Sequence, residues 1–293
     1  MKKIFAILLS VLLIFTCSCG TLGNEFGTDI DYSDAYINLD EIPEYSGHRY
    51  VVLNNNVPEF TESELDQDAF EVYSPLDKYG RCGVAYAMLG QELMPTEERQ
   101  SISEIKPSGW QTAAYEDLIT DTFLYNRSHL IAHSLAGENA NPNNLITGTD
   151  YMNKQGMLPF EEDVLEYIRN TGNHVLYRVT PIFHEEELIA RGVQMEAFSV
   201  EDLGEGICFN LYVYNVQPGV EIDYKTGDNW RDASLYEDDE AIGTYILNTS
   251  SKKFHYDGCD GASNMSSKNK KIFEGSRDVL IVQGYEPCGS CRP

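Results

Sequence analysis

The chain carries a histidine within Tyr125-Asn126-Arg127-Ser128-His129-Leu130-Ile131, followed by Asn141-Pro142-Asn143-Asn144 and then by Asn153. A neutral imidazole is the usual base for activating water near neutral pH. An asparagine amide oxygen can bind a hard cation, and an arginine fork fits phosphate oxygens. The pattern therefore predicts a one-metal hydrolytic site for a polyanionic substrate.

The sequence after this stretch predicts a helix and then an antiparallel meander. Pro159 suits the first turn of a helix and Gly172 its end. Between them, apolar residues recur at helical spacing: Phe160, Val164, Leu165 and Ile168. Three runs rich in Val, Tyr, Ile and Phe follow, separated by polar turns, and predict strands over residues 174–183, 188–200 and 207–216. Residues 75–110 contain recurrent Pro and Gly and are predicted to be mainly loop.

The formal net charge is -26 over 293 residues. Such a surface repels nucleic acid over most of its area. A protein that acts on nucleic acid would therefore need a locally positive cleft, a bound metal, or both. An acidic surface also suits a protein that lives outside the cell.

The N-terminus resembles a secretory signal. Met1-Lys2-Lys3 precedes an apolar run over residues 4–16 and then Cys17-Ser18-Cys19, and the run is too short for an ordinary membrane span. A cysteine at this point resembles a bacterial lipobox, although neither cysteine has leucine three residues before it. Lipid attachment at Cys17 or Cys19 is favoured over plain cleavage, which predicts an extracellular lipoprotein anchored to the outer face of the membrane.

Composition divides the rest of the chain. Residues 1–19 are the predicted signal, and residues 20–47 are an acidic tether. Residues 48–230 form the main domain, and residues 231–241 are a second acidic linker. Residues 242–293 hold seven Lys or Arg against five Asp or Glu and three of the seven cysteines, which predicts a separate small module.

The motif Asn126-Arg127-Ser128-His129 resembles the Asp-Arg-Gly-His motif of the DNA/RNA non-specific endonucleases. The resemblance covers about residues 48–227 and is nearest to the DNA-entry nucleases and streptococcal secreted DNases. It implies an α+β fold with a ββα-metal core on an antiparallel sheet. It also implies Mg²⁺ or Mn²⁺ as cofactor.

The same resemblance implies a role for each site residue. His129 is the general base, and Asn144 helps to position it. Asn153 is the direct protein ligand to the metal, Glu161 binds the metal through waters or supports the site, and Arg127 contacts the phosphate. Two motif positions differ from the family pattern, because Asn126 replaces Asp and Ser128 replaces Gly.

The C-terminal cysteines predict a second metal site. Two thiolates spaced as Cys288 and Cys291 can grip one tetrahedral ion. Cys259 is a third candidate ligand and His255 a fourth. The segment resembles the metal-binding domain of the Ada DNA-repair protein, which implies Zn²⁺; a disulfide is the alternative outside the cytoplasm. Its role is either structural or an addition to DNA affinity.

These observations predict a surface-tethered, metal-dependent endonuclease that hydrolyses DNA, with RNA as a further candidate substrate and no obligate protein partner. Two other classes remain open. One is a catalytically weakened surface protein for DNA binding or uptake, which the departures at Asn126 and Ser128 favour. The other is a phosphoesterase for small nucleotides.

Overall fold

A computed structural model describes residues 37–232 and 242–293. The predicted signal, most of the predicted tether and most of the second linker lie outside these residues. These described residues cluster as one compact unit. Within the described part of the chain, no helix is long and apolar enough to cross a membrane.

In chain order, the strands of the described residues begin with those of the main domain. They are β1 Tyr50–Val52, β2 Phe70–Tyr73, β3 Ala85–Leu89, β4 Tyr125–His129, β5 Leu145–Thr149, β6 Val175–Ile182, β7 Gly192–Ser199, β8 Cys208–Tyr214, β9 Val220–Ile222 and β10 Asn229–Arg231. The strands nearer the C-terminus are β11 Ile242–Asn248, β12 Lys253–His255, β13 Lys270–Ser276 and β14 Glu286–Pro287.

The helices are mostly short. The α-helices are α1 Glu62–Leu65, α2 His133–Ala136, α3 Leu158–Thr171, α4 Asp260–Ser263 and α5 Arg277–Val282. A π-helix spans Met152–Met157 and runs directly into α3. Single-turn 3-10 helices lie at Leu39–Glu41, Asn54–Asn56, Gln91–Leu93, Pro142–Asn144 and Ser267–Asn269.

A six-stranded antiparallel sheet forms the main core, in the order β1-β8-β7-β6-β3-β2. The predicted meander is confirmed as β6, β7 and β8, which are successive neighbours. Helix α3 packs on this sheet through Val164 and Ile168, both fully buried in the same core cluster as Val213. Gly172 ends the helix with a φ of 74°, as predicted.

Strand β3 was missed by the sequence prediction, which treated residues 75–110 as loop. All five residues of β3 are buried between β2 and β6. A strand covered on both faces is a short apolar run without alternation, and such a run gives no period-2 signal. The flanking Gly and Pro residues then dominated the pattern.

Strands β4 and β5 form a separate two-stranded sheet, which is followed by the helical segment. The two strands pair antiparallel from Tyr125 opposite Thr149 to His129 opposite Leu145. The π-helix and α3 follow β5 almost at once. Two antiparallel strands followed by a helix are the ββα arrangement that the motif predicted.

Residues 242–293 form a small four-stranded sheet in the order β13-β11-β12-β14 with its own apolar core. This module contacts the segment that precedes β1. Glu286 Oε1 lies 3.0 Å from Arg49 Nε in an ion pair, and Arg277 Nη2 donates to the Ser46 carbonyl at 3.0 Å. The module therefore packs against the main domain through charged and backbone groups.

Candidate active site

A cleft of about 840 Å³ opens beside the ββα segment. Its lining includes the predicted site residues Arg127, His129, Asn153 and Glu161, together with Asn126 of the motif. Strand β4 supplies the first two, the π-helix supplies Asn153 and the first turn of α3 supplies Glu161. The fold thus brings together residues that are up to 34 positions apart in the sequence.

His129 ends β4 and is only 7% exposed. Burial lowers the pKa of its imidazole from 6.5 to about 4, and the positive charge of Arg99 adds to this effect. Its Nε2 lies 3.2 Å from the Asn139 carbonyl oxygen. Because a carbonyl oxygen can only accept, this contact assigns the proton of the neutral ring to Nε2 and leaves Nδ1 with a free lone pair.

Asn144 forms no hydrogen bond with the histidine ring among the described residues and does not line the cleft. Its fully buried side chain bonds instead to both backbone groups of Ile131, two residues after His129. Any effect on His129 is therefore exerted through the backbone that follows β4.

Arg127 lines the cleft with its guanidinium stacked 4.1 Å from the centre of the Trp110 ring. Its Nε and Nη2 donate to the carbonyls of Ile105 and Ser103 at 2.5 and 2.7 Å. Among the described residues, Nη1 has no hydrogen-bond partner. The fork is held rigidly with one donor group left for an anion.

Asn153 lies in the π-helix, where the Leu158 N–H donates to the Asn153 carbonyl five residues back. The widened turn is a feature often found at functional sites. Gly156, in the same turn, lies against β8: a Cβ at this position would be 2.4 Å from Val213 Cγ1. Only glycine allows the segment to approach β8 this closely while Asn153 lines the cleft.

Glu161 is 8% exposed and borders the cleft. No described residue forms a hydrogen bond or ion pair with its carboxyl group. Burial raises its pKa from 4.5 to about 8, and the nearby Glu162 carboxylate adds to this rise. An unpartnered buried carboxyl and an amide side chain that line the same cleft are a donor set that fits a hard divalent cation.

The two departures from the family motif are accommodated locally. Asn126 Nδ2 donates to Asp150 Oδ1 at 3.1 Å, so a carboxylate is present beside this position although the motif residue is neutral. Ser128 lies fully buried in β4 without a positive φ. The absence of a side chain at Gly148 leaves room for it, because a Cβ there would be 2.3 Å from Ser128 Oγ.

Sequence reasoning missed several residues of the cleft. Asp150 pairs with Lys154, which also pairs with Asp121. Arg99 and Lys106 reach the cleft from the loop before β4. In sequence they look like scattered surface charges, and no local pattern marks them.

Basic side chains make the charge of the cleft differ from that of the whole chain. Four basic residues, Arg99, Lys106, Arg127 and Lys154, line the cleft with three acidic ones, Asp121, Asp150 and Glu161. His133 also borders it, as a flanking residue. The cleft is therefore not acidic although the whole chain carries a charge of -26.

Residues 61–200 match the family profile described as DNA/RNA non-specific endonuclease. This segment contains β4, β5, the π-helix, α3 and every cleft residue named above. Residues 61–200 form a domain of the DNA/RNA non-specific endonuclease family. A deoxyribonuclease from Streptococcus dysgalactiae subsp. equisimilis is 28% identical over 197 residues, which covers 53% of this chain and 59% of the relative. The chain thus spans about three fifths of that relative's length.

Solved structures share the fold of this segment. NucA from Streptococcus agalactiae with a magnesium ion bound is 25% identical, with a TM-score of 0.57 over 66% of this chain and 92% of NucA. The metal-free form of NucA is 26% identical with a TM-score of 0.56, over 64% and 89% of the two chains. Sda1 nuclease with a bound zinc ion is 27% identical with a TM-score of 0.53, over 63% and 97%. The α+β fold with a ββα-metal core is therefore confirmed.

The C-terminal module gathers the four predicted ligands. The ligand atoms of His255, Cys259, Cys288 and Cys291 all lie within 4.8 Å of one another. Cys259 Sγ is 3.5 Å from His255 Nδ1 and 4.0 Å from Cys288 Sγ. Zn–S and Zn–N bonds of about 2.3 and 2.0 Å place such ligand atoms about 3.5 to 3.8 Å apart in a tetrahedron, so this set fits zinc.

Proposed function

We propose that the protein is a metal-dependent endonuclease that hydrolyses DNA phosphodiesters, with little sequence preference and with His129 as general base. One observation carries the proposal: a buried imidazole, held neutral with Nδ1 free, lines the same cleft as Asn153 and Glu161. A neutral ring near pH 7 can accept a proton from water, as a general base must.

Asn153 and Glu161 would hold the cation. Mg²⁺ keeps several of its waters and takes few protein ligands, which suits a site with one amide and one carboxylate. When bound, Mg²⁺ or Mn²⁺ would neutralise phosphate charge and stabilise the leaving oxygen. A nearby positive ion would also lower the pKa of the Glu161 carboxyl, which burial alone raises.

The substrate assignment rests on the charge of the cleft. Arg127 presents to a phosphate its Nη1 group, which has no partner among the described residues. Arg99 and Lys106 add positive charge at the same opening. The chain as a whole is strongly acidic, so a polyanion is favoured at the cleft over most of the remaining surface. None of these contacts reads a base edge, which is consistent with low sequence preference.

Plasmid DNA incubated with the protein and Mg²⁺ or Mn²⁺ tests the proposal. We expect nicking that a chelator abolishes, and loss of about 10²- to 10⁴-fold in rate for His129→Ala. His184→Ala, an exposed histidine outside the cleft, serves as the matched control and should cleave like the wild type. Unchanged cleavage by His129→Ala would remove this residue from the mechanism.

The same assay separates the rival functions. Tight binding of DNA without metal-dependent cleavage would support the weakened binding or uptake protein. The hydrogen bond from Asn126 to Asp150 favours the enzyme. Ser128 has space beside Gly148, and its buried Oγ has no hydrogen-bond partner among the described residues. Hydrolysis of mononucleotides without plasmid cleavage would support the small phosphoesterase. An RNA substrate in parallel measures whether RNA is also cleaved.

The C-terminal cluster belongs to the proposal as a structural zinc site, with residues 242–293 as a module distinct from the endonuclease domain over residues 48–230. The module has a small core, and small domains commonly need a metal or disulfides for stability. Sγ atoms 4.0 Å apart are not in the bonded geometry of about 2.05 Å, which favours zinc over a disulfide between Cys259 and Cys288.

We also propose attachment to the outer face of the membrane through a lipid on Cys17 or Cys19, with the part of residues 20–47 that precedes residue 37 as the tether. The prediction of a tether up to residue 47 was wrong at its C-terminal end, because Leu39, Ile42 and Tyr45 pack against the main domain. The basic start, the short apolar run and the adjacent cysteines support the attachment. A Cys17→Ala/Cys19→Ala double variant should lose membrane association. Equal partitioning of the variant and the wild type would contradict the anchor.

A further inference from the structure

Among the aromatic rings on the cleft, that of Phe123 has no ring or cation partner in the described part of the chain. Trp110, Phe123 and Tyr125 all line the cleft. Trp110 is covered by the Arg127 guanidinium, and Tyr125 is 4% exposed with its hydroxyl donating to the Gly227 carbonyl at 3.0 Å. Phe123 is 53% exposed, and it forms no ring or cation contact with any residue in the described part of the chain.

The backbone on both sides of Phe123 is fixed. Thr122 has a φ of 73°, a conformation that β-branched residues rarely adopt, and its carbonyl accepts from the Tyr115 N–H at 2.7 Å. On the other side, Leu124 is fully buried and its N–H donates to the Ala113 carbonyl at 3.0 Å. The ring is therefore held outward by a constrained turn and not by a flexible loop.

The exposure of the Phe123 ring points to a function because of where the ring lies. An exposed apolar side chain is common on protein surfaces, but this one borders the cleft that also presents Arg127 and Lys106. Aromatic faces beside a basic groove are the two elements with which proteins bind single-stranded nucleic acid without reading its sequence. Every base offers a π face, so such a contact is tolerant of sequence.

We propose that Phe123 is a stacking platform for a nucleobase next to the phosphate that enters the cleft. This inference rests on the proposed function and adds a base-binding subsite to it. It makes the protein favour single-stranded or locally unpaired nucleic acid, because a base inside a duplex has its faces covered by its neighbours.

Binding of a short labelled single-stranded oligonucleotide to the full chain tests the subsite, with His129→Ala as the non-cleaving parent. Phe123→Ala should raise the Kd about 5- to 150-fold, the range that base–aromatic stacking gives. Phe123→Tyr should restore binding to within about twofold, whereas Phe123→Leu should not. The same oligonucleotide with abasic sites keeps the phosphates and should bind all variants alike.

Trp230→Ala is the matched control, since Trp230 is 49% exposed and does not line the cleft; it should bind like the parent. A Kd for Phe123→Ala within about twofold of the parent would overturn the inference. An equal loss on the abasic strand, or an equal loss in Trp230→Ala, would overturn it too. Plasmid cleavage by the protein with His129 intact is scored separately, so a failure of catalysis and a failure of the subsite give different results.

Discussion

Asn144 and Ile131 exchange two hydrogen bonds, each 2.9 Å long, through the Asn144 amide and the Ile131 backbone. The Leu130 N–H donates to the Asn144 carbonyl at 2.9 Å as well. The side chain thus continues the β4–β5 ladder beyond His129, where no further strand residue is available. The amide fixes the backbone directly after His129.

Asn144→Ala should destabilise the fold by about 2 to 4 kcal/mol, because it leaves a buried donor and a buried acceptor of Ile131 without partners. It should also lower kcat by disturbing the position of His129. Chemical denaturation and plasmid cleavage measure the two effects. Asn143→Ala removes a neighbouring amide that lacks a side-chain hydrogen bond among the described residues, and it should change neither.

The pH dependence of cleavage should not show a histidine titrating near 6.5. His129 is held neutral down to about pH 4, so a base in this position loses activity only as the pH falls towards that value. The measurement is kcat/KM against pH at saturating Mg²⁺, with His133→Ala as a check on the other histidine of the cleft. An acid limb near 6.5 that survives in His133→Ala would contradict the burial argument.

Stability should depend on pH through Glu161. Its folded pKa of about 8 lies above the ordinary 4.5, so the folded state binds more protons between these values. The stability contributed by the neutral carboxyl is full below pH 4.5 and is lost as the pH rises through about 8. Without metal, Glu161→Gln should therefore gain roughly 3 to 5 kcal/mol over the wild type on going from pH 5 to pH 9.

If Glu161 supports the metal, Mg²⁺ should reduce the stability advantage of Glu161→Gln over the wild type at high pH. At pH 9 the ion should stabilise the wild type and leave Glu161→Gln unchanged. Glu162→Gln, an exposed change at the next residue, should respond to Mg²⁺ as the wild type does. Equal stabilisation of wild type and Glu161→Gln would exclude Glu161 from the metal site.

Gly156→Ala should change the Mg²⁺ requirement of cleavage without removing a side chain of the cleft. The added Cβ would be 2.4 Å from Val213 Cγ1, so the π-helix must shift and carry Asn153 with it. We expect a Mg²⁺ requirement raised at least about tenfold, as for loss of a supporting contact at a metal site. Gly289→Ala has no atom within 4 Å of the new Cβ and should behave as the wild type.

The C-terminal cluster should hold one zinc ion per chain. Cys288→Ser should lose the ion and lower the stability of the module, since structural zinc contributes directly to folding. Cys208→Ser removes a thiol outside the cluster and should retain the metal. Purified protein without zinc and with oxidised C-terminal thiols would show that the cluster serves as a disulfide instead.

The sequence by itself determined the features that depend on local spacing. The meander β6–β8 and the helix ended by Gly172 follow from periodicity and turn chemistry. The ordered set His129, Asn144, Asn153 and Glu161 follows from the resemblance of the motif to the endonuclease family. These signals are carried by residues near one another in the chain, so they need no knowledge of the fold.

Only the tertiary structure decided which distant groups complete the site. Burial lowers the pKa of His129. Asp150 places a carboxylate beside the neutral Asn126. Arg99 and Lys106 reach the cleft from another loop. Strand β3 and the exposed ring of Phe123 were likewise not predictable. Burial and exposure arise from packing between segments far apart in sequence, and a single residue type carries no record of what will cover it.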